Sequence, residues 1–199
     1  RHYVDHLADF MDAVGLERAH LAGESLGGWA AAQFAVDHPD RVGKLILNTA
    51  GGLTANEEVM QRIYDLSMKA VAEASRETVR SRLEWLMHDP AVVTDDLVET
   101  RLAIYTQPGF ARAMEHILCL QIMDIRVPNL LDEDQLRGIA APTLVVWTSH
   151  DPTGAVEVGQ KFADLIPDAE LVVMDGCGHW PQYEDAPRFN RLVMDFLAR

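Results

Sequence analysis

Cysteine is nearly absent from this sequence: Cys119 and Cys177 are the only two in 199 residues. Two are too few for a disulfide framework, and a reducing compartment fits best. Long apolar runs are missing too. Nothing approaches the ~18 consecutive apolar residues of a membrane span, so no transmembrane helix is expected. The chain does not open on a basic stretch followed by an apolar one, so no signal peptide is visible and a cytoplasmic location is expected. Basic residues are scarce: 17 Lys and Arg stand against 31 Asp and Glu, a net charge of −14. Phosphate backbones and anionic bilayers would be repelled, which argues against nucleic acid and membranes as partners. An anionic small molecule would need a local cation to offset that field. No His-x-x-x-His encloses a Glu and no Cys-x-x-Cys occurs, so neither a metal site nor a cofactor is expected. Internal repeats and low-complexity tracts are also lacking.

What is present is an ordinary globular mix, 48% hydrophobic and 24% charged. The stretch "YVDHLADFMDAVGLE" sets Val4, Leu7, Ala8, Phe10, Met11 and Val14 at helical spacing, and Gly15 ends the helix. "RAHLAGES" reads as a buried strand, "SLGGWAAAQFAVDHPDRV" as a helix starting at Ser25, and "VGKLILNTAGG" as a second strand. That alternation predicts a parallel α/β unit over residues 1–52. Residues 53–140 carry little strand-like sequence. Their amphipathic stretches, "NEEVMQRIYDLSMKAVAEA", "RETVRSRLEWLMH", "TDDLVETRLAIYTQ" and "GFARAMEHILCLQIMD", predict a helical cap. Strand–helix alternation resumes over 141–199 with "APTLVVWTSHD" and "AELVVMDGCGH". The fold class expected is a mostly parallel, doubly wound α/β sheet with a helical cap. Only four strands are readable. Four more, with a helix and their loops, would take roughly 60–80 residues. The expectation is therefore a fragment, or a sheet completed by a second chain.

"GESLGG" fits Gly-x-Ser-x-Gly at Gly23, Ser25 and Gly27. A strand before it and a small-residue helix after it are the context of a nucleophile elbow. Such a turn strains the serine, and side chains at Gly23 and Gly27 are expected to clash with neighbouring backbone. The helix N-terminus behind Ser25 favours developing negative charge. The other reading is a glycine-rich helix start or phosphate cradle.

A serine needs a base, and the base an orienting acid. Of eight histidines, only His150 and His179 follow predicted strands, where α/β sheets place their ligands. His179 lies in a glycine loop before a helix, and Asp151 ends the preceding strand. The order Ser25, Asp151, His179 is the Ser…Asp…His order of the α/β-hydrolase fold. The backbone N–H of Leu26 would be one oxyanion donor, and the loop that normally supplies the second does not precede Ser25 in this sequence. Cys177, two residues before His179, reads as a small buried residue rather than a nucleophile.

With these residues in place, the sequence resembles the meta-cleavage product hydrolases, α/β-hydrolases that cut carbon–carbon bonds in ring-opened aromatic metabolites. The resemblance covers the whole chain against the C-terminal two-thirds of the family. "GESLGGW" is similar to the elbow, "LILNTAGGL" to the strand entering the cap, and "GCGHWPQYEDAPRFNRLVMDFL" to the C-terminal signature. "DPAVVTDDLVETRLAIYTQP" resembles the cap segment with the family's substrate-binding arginine, which falls on Arg101. By that resemblance Arg101 would hold the carboxylate of a 2-hydroxy-6-oxo-hexa-2,4-dienoate-type substrate, supplying the local cation the net charge requires. Trp180 would line the dienoate side of the pocket. The other readings are a solvated Arg101 paired with Asp95, Asp96 or Glu99, and Trp180 as an apolar plug. One departure stands out: the family commonly has asparagine before the nucleophile, and this chain has Glu24. Glu24 would pair with Arg101 or another pocket cation, or point away.

The implied reaction ketonises the dienol and then hydrolyses the C–C bond, with His179 moving protons and Asp151 orienting it. Two other readings stay open: an ester or lactone hydrolase with the same triad, and an inactive fragment or binding protein on a hydrolase scaffold. The substituent on the acyl end is not readable, and a homodimer is left open.

Overall fold

A computed structural model describes residues 2–199. The elements run α1 (His2–Ala13), β1 (Ala19–Glu24), α2 (Leu26–Asp37), β2 (Val42–Asn48), then six helices without a strand: α3 (Glu57–Ala72), α4 (Arg76–Leu86), α5 (Asp95–Tyr105), α6 (Phe110–Ile117), α7 (Met123–Arg126) and α8 (Glu133–Arg137). The sheet resumes with β3 (Thr143–Thr148), α9 (Val156–Leu165), β4 (Ala169–Met174), α10 (Pro181–Glu184) and α11 (Ala186–Ala198).

The four strands form one parallel sheet in the order β1-β2-β3-β4. Leu45 to Asn48 of β2 pair with Thr143 to Val146 of β3, so the two strands are joined across the chain by the whole helical segment. Side chains alternate across the sheet, and the alternation builds two cores. Leu45, Leu47, Val145 and Trp147 pack with α1, α2, α8 and α9 on one face. Ile46, Leu144 and Val146 pack with Phe196 of α11 on the other. Parallel strands buried on both faces read as continuous apolar runs, which is why "KLILN" and "TLVVWT" are legible without a period-2 pattern.

Two local expectations are corrected. In α1 only Val4 and Met11 are buried, while Phe10 is 53% and Val14 52% exposed. Positions 4, 7, 8 and 11 make the stripe that packs on the core; Phe10 lies about 100° round the helix from Met11, and Val14 falls in the turn after α1 has ended at Ala13. "GFARAMEHILCLQIMD" is not one helix. α6 stops at Ile117, and 3₁₀ turns at Leu118–Gln121 and Val127–Asn129 flank the short α7. The buried Arg126 ties this stretch down, donating from Nε to Thr54 O at 2.7 Å and from Nη1 to Leu120 O at 3.1 Å.

Candidate active site

The turn between β1 and α2 puts Ser25 at φ 51°, ψ −114°. A non-glycine residue there is strained by about 1–3 kcal/mol and persists only where its surroundings hold it. They do so through the backbone. Ser25 N–H donates to Asn48 O at 3.0 Å, and Ser25 O accepts from Gly51 N–H at 2.9 Å and Trp29 N–H at 3.1 Å. At Gly23 a Cβ would come within 2.2 Å of Gly27 O, so only glycine fits. The expectation for Gly27 is corrected: a Cβ there meets nothing within 4 Å. The second close approach belongs to Gly28, whose Cβ would lie 2.6 Å from that of Ala50. The first turn of α2 packs on the end of β2 through Gly28, and Gly27 faces the open cleft. Leu26 N–H opens α2, where it has no acceptor within the helix.

His179 follows β4 and is almost wholly buried; the Asp151 side chain, beyond β3, is fully so. Nδ1 of His179 lies 3.0 Å from both Asp151 oxygens. Thr153 fixes that carboxylate, its N–H and its hydroxyl each donating to Oδ1 at 2.8 Å. Its hydroxyl is also 3.2 Å from Nδ1. On the other side of the ring, His179 Nε2 meets Glu24 Oε1 at 2.9 Å. With the imidazolium this contact is an ion pair, and Oε1 is buried with no other partner among the described residues. No hydrogen bond joins Ser25 to His179 among the described residues. Of the positions expected for Glu24, the structure shows pairing with a pocket cation other than Arg101: its partner is the His179 imidazole. Burial disfavours the imidazolium, but the carboxylates of Asp151 and then Glu24 outweigh it and raise the pKa of His179 to about 9.

The loop carrying His179 is fastened to the end of α4. His179 N–H donates to Leu86 O at 2.7 Å, and Glu184 accepts from Gly178 N–H and His88 N–H at 2.8 and 2.7 Å. Gly178 sits so close that a Cβ would lie 2.4 Å from Leu86 O.

A cleft of about 440 Å³ opens between the strand ends and the helices 57–118, lined by Ser25, Glu24 and His179, by Trp180 next to His179, and by Arg82 and Arg101 from the helices. Arg101 lies with its guanidinium 4.9 Å from the centre of the Trp180 ring, so the structure brings these two together at the site. The surface pairing considered for Arg101 is not made: Asp95 pairs with Arg80 and Glu99 with Arg76. Cys177 is buried, and burial pushes its thiol up to about 11, which fits packing rather than nucleophilic chemistry.

Three residues at the site are absent from the sequence reading. Thr153 and Glu184 act through loop geometry that no spacing announces. Arg82 had a readable signal: it stands three residues after Val79 and four before Leu86, on the buried stripe of an otherwise charged helix. Its Nε donates to Ser67 Oγ at 3.0 Å.

The family described as "alpha/beta hydrolase fold" matches residues 1–186. The chain is 40% identical over 193 residues to a 2-hydroxy-6-oxo-6-phenylhexa-2,4-dienoate hydrolase of Burkholderia cepacia, covering 94% of this chain and 65% of that one. It is 36% identical over 192 residues to a 2-hydroxy-6-oxononadienedioate/2-hydroxy-6-oxononatrienedioate hydrolase of Comamonas testosteroni, with the same coverages of 94% and 65%. It thus spans 65% of the length of both relatives. Among solved structures, it superposes on the meta-cleavage product hydrolase CumD of Pseudomonas fluorescens IP01, a serine-to-alanine mutant complexed with acetates, with a TM-score of 0.85 at 28% identity, covering 98% of this chain and 70% of that one.

Proposed function

Since this chain belongs to the α/β-hydrolase fold family, within its meta-cleavage product hydrolases, we propose that it contributes the catalytic centre of an enzyme that hydrolyses a C–C bond in a 2-hydroxy-6-oxo-hexa-2,4-dienoate-type ring-fission product. The observation that carries this reading is the meeting of Arg101 and Trp180 over the same cleft as Ser25 and His179. A serine with a base would serve any acyl transfer. A guanidinium set against an indole beside the base suits a conjugated carboxylate.

Arg101 holds the dienoate carboxylate and Trp180 lies against the conjugated chain. The first stage, ketonisation, needs a proton delivered to carbon. With a pKa near 9, His179 is an imidazolium at neutral pH, the form that donates. Having given up that proton, it becomes the neutral base that activates Ser25 or water for attack on the ketone. Asp151, itself fixed by Thr153, keeps Nδ1 engaged so that Nε2 does the proton work. Leu26 N–H stabilises the oxyanion. One water is consumed, and the products are a 2-hydroxydienoate and a carboxylic acid.

The test follows loss of the yellow dienoate absorbance. Arg101→Ala should lower kcat/KM by about 100-fold, as expected for losing a charge-assisted bidentate contact. A near wild-type rate for that variant, with turnover of simple activated esters, would replace this reading by an ester hydrolase using the same triad.

A further inference from the structure

The cleft holds a second guanidinium that the reaction just described does not use. Arg82 projects from α4 into it, with Nε on the buried hydroxyl of Ser67 and its guanidinium carbon 5.2 Å from the Trp85 ring centre. Those two contacts fix the side chain before any ligand arrives. Its Nη1 is buried and has no hydrogen-bond partner. No salt bridge is made by Arg82 among the described residues, although its neighbours on the same helix, Arg76 and Arg80, are both paired with carboxylates. Among the described residues the only carboxylate lining the cleft is that of Glu24, and it is engaged with His179. A buried cation with an unused donor is costly to keep unless something anionic completes it. Burial also lowers its pKa, to about 10, which leaves it charged at neutral pH.

Arg82 and Arg101 stand at different points of the cleft. The Arg76–Glu99 and Arg80–Asp95 pairs run α4 and α5 antiparallel. In that register Arg82 is level with Val93, so its Cα is about 12 Å along the helix pair from that of Arg101, and the two guanidiniums rest on different rings, Arg82 on Trp85 and Arg101 on Trp180. Arg101 helps to lower the pKa of Arg82, so the two cations face one another across the same cleft, and two guanidiniums held on separate rings can take the two ends of one ligand.

We infer that Arg82 binds a second acidic group, on the acyl end of the substrate, so that the cleft is built for a dicarboxylate ring-fission product rather than one ending in an apolar ring. This rests on the C–C hydrolase reading for the identity of the dienoate end, but the anion site at Arg82 stands on its own contacts.

The experiment compares two dienoates on the purified protein, one with a carboxyethyl and one with a phenyl group on the ketone, in the wild type, Arg82→Leu and Arg82→Lys. The ratio of kcat/KM for the acidic over the phenyl substrate should favour the acidic one in the wild type. It should fall about 10- to 100-fold in Arg82→Leu and be partly kept in Arg82→Lys. Calorimetric titration with succinate, the kind of acid such cleavage releases, supplies a readout independent of turnover: binding should be seen in the wild type and in Ser25→Ala and lost in Arg82→Leu. Turnover of both dienoates with a ratio indifferent to Arg82→Leu overturns the inference and leaves the C–C hydrolase reading standing. Succinate bound through Arg82 by a protein inert on every dienoate sinks that reading and keeps the anion site. Absence of succinate binding together with an unaltered ratio removes the site altogether.

Discussion

Glu24 and Asp151 hold His179 from opposite sides, and the two carboxylates have different consequences. Asp151 orients the ring from Nδ1. Glu24 sits on Nε2, the nitrogen that must exchange protons with serine or substrate. Replacing Glu24 by Gln removes one of the charges that raise the pKa of His179. The imidazolium then becomes less abundant at neutral pH and the neutral base more so. Stopped-flow spectra at pH 7.5 should show slower ketonisation and faster C–C cleavage in Glu24→Gln. The alkaline rise of the cleavage rate should move about one pH unit or more toward acid. Identical pH profiles in variant and wild type would mean that Glu24 does not govern His179. This contact illustrates why the site was only partly legible in the sequence. Ser25, Asp151 and His179 are read from strand ends and a glycine turn, which are chain-local signals. The direction of the Glu24 side chain is set by a loop more than 150 residues away, and no spacing encodes it.

At the level of elements, α4 is the informative case. Arg80 and Arg82 are two residues apart, about 200° round a helix, so one reaches a surface carboxylate while the other turns into the cleft. Periodicity could have placed Arg82 on the buried stripe, but a charged residue there is ordinarily discounted because its burial is costly. The strands were easier, since buried parallel strands advertise themselves as apolar runs. Periodicity runs α6 and α7 together as one helix because the stretch between them is held by Arg126, whose partner Thr54 O is 72 residues away in sequence. The link from α4 to the His179 loop is testable. Glu184→Ala leaves the N–H groups of Gly178 and His88 without their acceptor, at about 1–3 kcal/mol. Chemical denaturation should show that loss, and hydrogen exchange should rise at residues 87–89 and 177–180 before it rises in the sheet. Gly178→Ala should be at least as damaging, since Leu86 O lies in the way of the new methyl group. A melting temperature equal to the parent's would contradict that packing.

Across the whole molecule, a net charge of −14 surrounds a cleft with two arginines free of salt bridges among the described residues. Both the surface charge and His179 tie stability to pH. The folded pKa of His179, about 9, lies above its unfolded value of about 6.5. Its contribution is complete below pH 6.5 and is lost as pH rises through 9. The melting temperature should therefore fall between pH 6.5 and 9. Repeating the series in about 1 M salt, where the screening length is near 3 Å, removes the distributed repulsion and leaves the buried part. A flat curve in high salt would show that His179 is not held between two carboxylates.

The hydrogen bond from His179 N–H to Leu86 O also constrains how the molecule can breathe. Leu86 is the last residue of α4, so the acid–base residue shares a rivet with the roof of its own chamber. Swinging α4 outward like a hatch would pull that rivet and unseat the imidazole. Traffic in and out must therefore hinge elsewhere, leaving the α4 edge shut through every cycle. A cross-link locking α4 to the His179 loop should leave turnover intact, and loss of turnover in the cross-linked protein would show that α4 does swing.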